Sequence, residues 1–150
     1  MQSLKSMRAL KLVVDGKQSG RVVQGCLSDD LQRLEGIWVD SGLGGLRFVD
    51  ADHICVIGRR SVIADESGIR LRIRPRSLFV RAVSAEGRRL GAIVDAHVDE
   101  TSLVVTSLAL STGYLDSLLH GYRTITVFFH DRANGQVIIP QEQVDQEVFG

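Results

Sequence analysis

The chain has 150 residues, 44% of them apolar and 24% charged, and its 18 basic and 18 acidic side chains cancel to a formal net charge of zero. That balance argues against strong non-specific attraction to nucleic acid or anionic lipid, and the apolar share is ordinary for a globular protein. The N-terminus lacks the apolar core of a signal peptide, and no stretch approaches the ~20 apolar residues of a membrane span, so a cytoplasmic location without a transmembrane segment is expected.

Short apolar runs punctuated by glycine and aspartate predict an all-β protein. Ala9 to Val14 reads as a first strand, Asp15 to Gly20 as a turn, Arg21 to Leu27 as a second strand and Leu34 to Val39 as a third. Ser41 to Gly45 is a glycine-rich loop. No P-loop lysine follows it, and no helix is ready to receive phosphate. Leu46 to Val49, His53 to Ile57 and Ser61 to Ala64 complete a first module. Phe79 to Ser84, Gly91 to Val98 and Leu103 to Leu110 repeat the opening strands. Leu115, Leu118 and Leu119 then stand at helical spacing, predicting a short helical segment near 113–120. Tyr122 to His130 and Gln136 to Ile139 flank a hairpin turn at Asp131–Gly135, and Gln141 to Val148 is expected as a terminal helix.

Residues 9–42 align without a gap on residues 80–113, an offset of 71. Gly16 falls on Gly87, Gly20 on Gly91 and Gly42 on Gly113; Leu12 meets Val83, Val22 meets Ile93 and Ile37 meets Leu108. Only four of the 34 pairs are identical, so the pattern carries the repeat, with the glycines read as turn positions. The expected organisation is a module at 1–68, an arginine-rich connection at 69–76 and a second module at 77–150. Modules this small are marginal alone, so they are expected to pack on one another or in a homodimer.

The order strand, Gly-x-x-x-Gly, strand, acidic turn, apolar strand, loop and closing strand resembles the PRC-barrel domain. The likeness rests on Leu34 to Val39, Arg47 to Ile54 and Gly135 to Pro140, and extends over most of the chain. It implies two small PRC-type β-barrels in tandem, similar to small bacterial proteins that act as adaptors or binding modules without enzymatic activity or cofactor. A protein partner is the leading expectation. Family kinship with a ribosome-maturation factor implies an RNA- or ribosome-associated role as the alternative.

No catalytic constellation stands out. None of the serines near glycines sits in a Gly-x-Ser-x-Gly elbow. Cys26 and Cys55 are expected as reduced, buried thiols, and the four histidines show no ligand spacing. Asp95, His97 and Asp99 alternate along one strand and so share a face, which makes them weak metal candidates against a solvated polar face. Arg70, Arg72, Arg74 and Arg76 alternate with apolar residues where the copies join. Between Arg59 and Arg89 nine arginines face three acidic residues, a local net of +6. A row of guanidiniums can grip carboxylates or phosphates through forked hydrogen bonds; equally, it can pair with acidic groups of the same chain or solvate a sheet edge.

Overall fold

The computed structural model describes residues 2–70, 75–113, 121–140 and 148–149. The helical expectation near 113–120 lies outside these residues apart from Gly113, and so does the terminal helix apart from Val148, which belongs to a strand. In chain order the elements are β1 (Gln2–Ser3), α1 (Leu4–Met7), β2 (Lys11–Val14), β3 (Lys17–Leu27), β4 (Leu34–Asp40), β5 (Leu46–Asp50), β6 (Ile54–Ile57), β7 (Ser61–Ala64) and β8 (Ile69–Arg70). Then follow β9 (Val80–Ser84), β10 (Arg89–Val98), β11 (Val105–Ser111), β12 (Tyr122–Ile125), β13 (Phe129–Asp131), β14 (Gln136–Ile139) and β15 (Val148–Phe149). Single 3-10 turns stand at Gly42–Gly44 and Ala51–His53. The protein is all-β, with two barrel-like units made of curled sheets.

The first unit comprises Met1–Ser77 with Val98–Val105, and the second Leu78–His97 with Thr106–Gly150. Strands of the first follow the order β6-β7-β2-β3-β4-β5-β8; those of the second follow β13-β14-β9-β10-β11-β12-β15. The orders are the same, down to the one parallel pairing, β2 with β7 and β9 with β14. The first strand of each unit therefore lies inside its sheet, flanked on both sides.

Register explains how the repeat is written. β3 corresponds to β10 and β4 to β11 at the 71-residue offset, and each unit shifts register beside the same glycine, between Gln18 and Gly20 or between Arg89 and Gly91. Both glycines are held at φ near +148°, where an L side chain is strained. A Cβ on Gly20 would stand 2.7 Å from the Asp40 carbonyl oxygen, and one on Gly91 would collide with the equivalent oxygen, that of Ser111.

The first strands, by contrast, depart from the gapless alignment. Leu12 pairs with Gly20, but Ala82, not Val83, pairs with Gly91. The turn that follows each first strand accounts for the shift. Asp15–Gly16 is a two-residue turn with both residues at positive φ, whereas Ala85–Gly87 is a three-residue loop closed by Gly87 N–H on Ser84 O at 2.9 Å.

Apolar residues of β2, β4, β5 and β7 line the first core, and those of β9, β10, β11, β12 and β14 the second. Leu12, Leu34, Ile37, Val39, Val49 and Val62 are fully buried in the first unit; Ala82, Ile93, Leu108, Ile125, Val137 and Ile139 are in the second. The helix α1 adds Leu4 and Met7 to the first core. Ser3 caps it, its Oγ accepting Ser6 N–H at 3.0 Å, and it lies over Gly25, whose missing side chain leaves room for Leu4. The turns after β3 and β10 each bury a leucine at left-handed φ, Leu31 at +61° and Leu103 at +62°. Within the first unit the two turns bond to each other through equivalent residues: Leu34 N–H donates to Leu103 O and Val105 N–H to Gln32 O, both at 2.8 Å.

Candidate functional site

The β4–β5 hairpin and β8 form one rim of the first unit. Asp40 starts the hairpin loop by accepting Gly42 N–H on Oδ1 at 2.8 Å, and Ser41 N–H closes it on Gly45 O at 3.0 Å. Gly44 and Gly45 N–H donate to Ser41 O and Gly42 O. Leu43, at the tip, is fully exposed. Ser41 Oγ is shut off from solvent and has no hydrogen-bond partner among the described residues. That is an open position in the polar accounting of an otherwise well-bonded loop.

Arg47 on β5 and Arg70 on β8 are direct cross-strand partners, so their side chains leave the sheet on the same face, about 5 Å apart at Cβ. Arg47 donates Nη1–H to Gly68 O at 3.1 Å. Its other edge runs along Gly44: a methyl group there would stand 3.5 Å from Nε and 3.8 Å from Nη2. The same edge of Arg70 runs along Gly45, at 3.2 Å and 3.5 Å. Among the described residues neither guanidinium has a carboxylate partner; the ion pairs found there belong to His53 with Asp65 and Glu66. On the opposite face of the same strands Trp38, Phe48 and Ile69 make a row, with the two rings edge-to-face at 5.2 Å and Ile69 71% exposed.

Of the arginine row predicted from the sequence, Arg70 and Arg76 are exposed, while Arg72 and Arg74 lie outside the described residues. Arg70 sits on the last strand in its sheet's order, with β5 as neighbour. Arg47 was not among the sequence candidates: it stands alone between apolar residues, and only the β5–β8 register brings it to Arg70.

Asp95, His97 and Asp99 do not assemble a metal site, and among the described residues no group of three or more histidine, cysteine or carboxylate side chains could hold an ion. Asp95 is buried, its Oδ1 accepting Ala96 N–H at 2.8 Å. Its counterpart in the first unit, Gln24, is buried too and accepts Arg8 Nε–H at 3.1 Å. His97 stands 3.3 Å from Ser107 Oγ, and burial lowers its pKa although Asp95 pulls it up. Asp99 caps its own turn, accepting the Ser102 and Thr101 N–H groups and the Ser102 hydroxyl. Those bonds hold its carboxyl below the usual range. Alternation along a strand put these residues on one face, but the turn took Asp99 out of the row.

Both thiols are free, but they are not both buried. Cys26 is half-buried, and burial followed by the charges of Glu35 and Asp29 pushes its pKa up. Cys55 is exposed because it points outward from the end strand β6, between the buried Ile54 and Ile57. The turn glycines Gly16 and Gly87 both have positive φ and open surroundings; Gly42 and Gly113 do not match, at φ +66° and +159°. No helix among the described residues is long and apolar enough to cross a membrane. No family model matches the chain, and no curated protein matches it.

Proposed function

We propose that the chain is a cytoplasmic, non-enzymatic interaction protein, a pair of PRC-type barrels that presents its rims to a protein partner. The observation that carries this reading is the rim of the first unit, where the exposed Leu43 of the hairpin loop adjoins two arginines lacking a carboxylate among the described residues and Ile69 is exposed on the other face. Exposed apolar side chains beside arginine are the composition of protein-binding surfaces. The duplicated strand order supports the tandem-module part of the reading.

The test is affinity capture with the tagged full chain from native lysate, with and without nuclease. A specific protein retained after nuclease treatment is expected. Loss of every captured protein on nuclease treatment would favour the RNA-associated alternative, and capture of no specific protein would end the adaptor reading.

A further inference from the structure

We propose that Arg47, Arg70 and the Ser41–Gly45 loop form a docking site for an acidic, extended segment of a partner protein, its carboxylates held on the Nε–Nη2 edges of the two guanidiniums. This rests on the interaction-protein reading above and names the partner's chemistry.

Two like charges placed directly opposite on neighbouring strands destabilise a sheet. The fold does not require them. In the second unit Arg123 holds the register position of Arg47, opposite Leu110 as Arg47 is opposite Val39, yet it faces Val148 across the ladder. The module thus accepts valine where the first unit places Arg70. An anion between the guanidiniums removes the repulsion.

The free edges are those that grip a carboxylate through two parallel N–H bonds, and Arg47 is already oriented by its bond to Gly68 O. Gly44 and Gly45 leave space beside those edges that any side chain would take up. The amides of Gly42, Gly44 and Gly45 are all bonded within the loop or to Asp40, so no nest of free N–H groups is offered to phosphate. Selectivity then falls to the guanidiniums and to Leu43 at the loop tip, which suit apolar residues interspersed with acidic ones better than a nucleic-acid backbone. Ser41 Oγ supplies one more polar group without a partner among the described residues at this corner.

The probe is a short fluorescein-labelled peptide alternating glutamate and leucine, compared by anisotropy with its glutamine counterpart and with a labelled oligouridylate. The full chain is expected to bind the glutamate peptide at least about tenfold more tightly than the other two. Arg47→Gln and Arg70→Gln should each weaken it about tenfold, the scale of one charge-assisted pair. Leu43→Ser should weaken it several-fold, and Arg132→Gln, at an exposed position of the second unit, should leave it unchanged. Arg70→Val, which copies the second unit, should lose binding while its melting temperature stays the same or rises, an outcome that separates recognition from folding. Equal affinity for the glutamine peptide, tighter binding of the oligouridylate, or full binding by Arg70→Val would overturn the proposal. If Arg70→Val captures the same lysate protein as the natural chain, the docking site is wrong and the adaptor reading stands; if neither captures one, that reading falls on its own.

Discussion

An arginine faces an arginine on the rim of the first unit, and at the same register position of the second an arginine faces a valine. On the opposite face of the same strands the row differs as well: Trp38 beside Phe48 in one, Ala109 beside Thr124 in the other. The strand order, the parallel pairing and the glycine beside the register shift are common to both. What the units share is thus backbone geometry, and what they do not share is the rim. A duplicated framework separates residues that make the fold from residues that one copy alone has reason to keep.

The most severe way to break the shared part is at its glycines. Gly91→Ala and Gly20→Ala each place a methyl group against the backbone of the neighbouring strand at a φ near +148°. A loss of about 2–4 kcal/mol is expected for each, measured by urea unfolding. Gly91→Ala should be the worse of the two, because the Ser111 oxygen stands nearer to it than the Asp40 oxygen does to Gly20. If either substitution were neutral, the equivalence of the two corners would be wrong.

Next comes the position where the cores differ in volume. Leu12 and Ala82 occupy the same place in the ladder and are both fully buried. Leu12→Ala should cost about 3 kcal/mol through lost burial and an unfilled cavity. Ala82→Leu should cost about 2 kcal/mol by overpacking, since the second unit fills that space from other residues. Stabilisation by Ala82→Leu would show that this space is empty and that the register equivalence says nothing about packing.

These equivalences mark how far the sequence was legible. Strand content and the 71-residue repeat are visible because glycines at forced backbone positions and alternating apolar residues survive when identity is lost. The register of β9 is hidden, since one extra turn residue, Ala85–Gly87 against Asp15–Gly16, moves a whole strand by one place without disturbing the apolar pattern. A single helical turn such as α1 has no periodicity to detect; only its capping serine is a signal. The candidate rim was half legible. Alternation exposes Arg70, but Arg47 acquires meaning only through a pairing between strands more than twenty residues apart in sequence. The Asp95–His97–Asp99 row shows the converse limit, because periodicity reports a face and not the hydrogen bonds that occupy it.

The smallest effect contrasts the units by pH. His53 Nδ1 lies 2.9 Å from Asp65 Oδ1 and Nε2 lies 3.4 Å from Glu66 Oε2. The Asp65 hydrogen bond chiefly, with the charges of Glu66, Asp65 and Asp50, raises its pKa. A histidine held more protonated in the folded state contributes stability fully below its unfolded pKa of about 6.5 and loses it as pH rises through the raised folded value. His97 works in the other direction. Burial lowers its pKa, so stability is complete above about 6.5 and falls as acid protonates the unfolded chain first. In thermal unfolding, His53→Gln should therefore melt below the natural chain at about pH 5.5 and converge with it at about pH 8.5. His97→Gln should fare relatively better at the acid end than at the alkaline end. Because the two slopes have opposite sign, the natural chain can show a flat profile that neither variant shows, and two variants with parallel profiles would mean that the paired histidine and the buried one do not differ in the way their surroundings require.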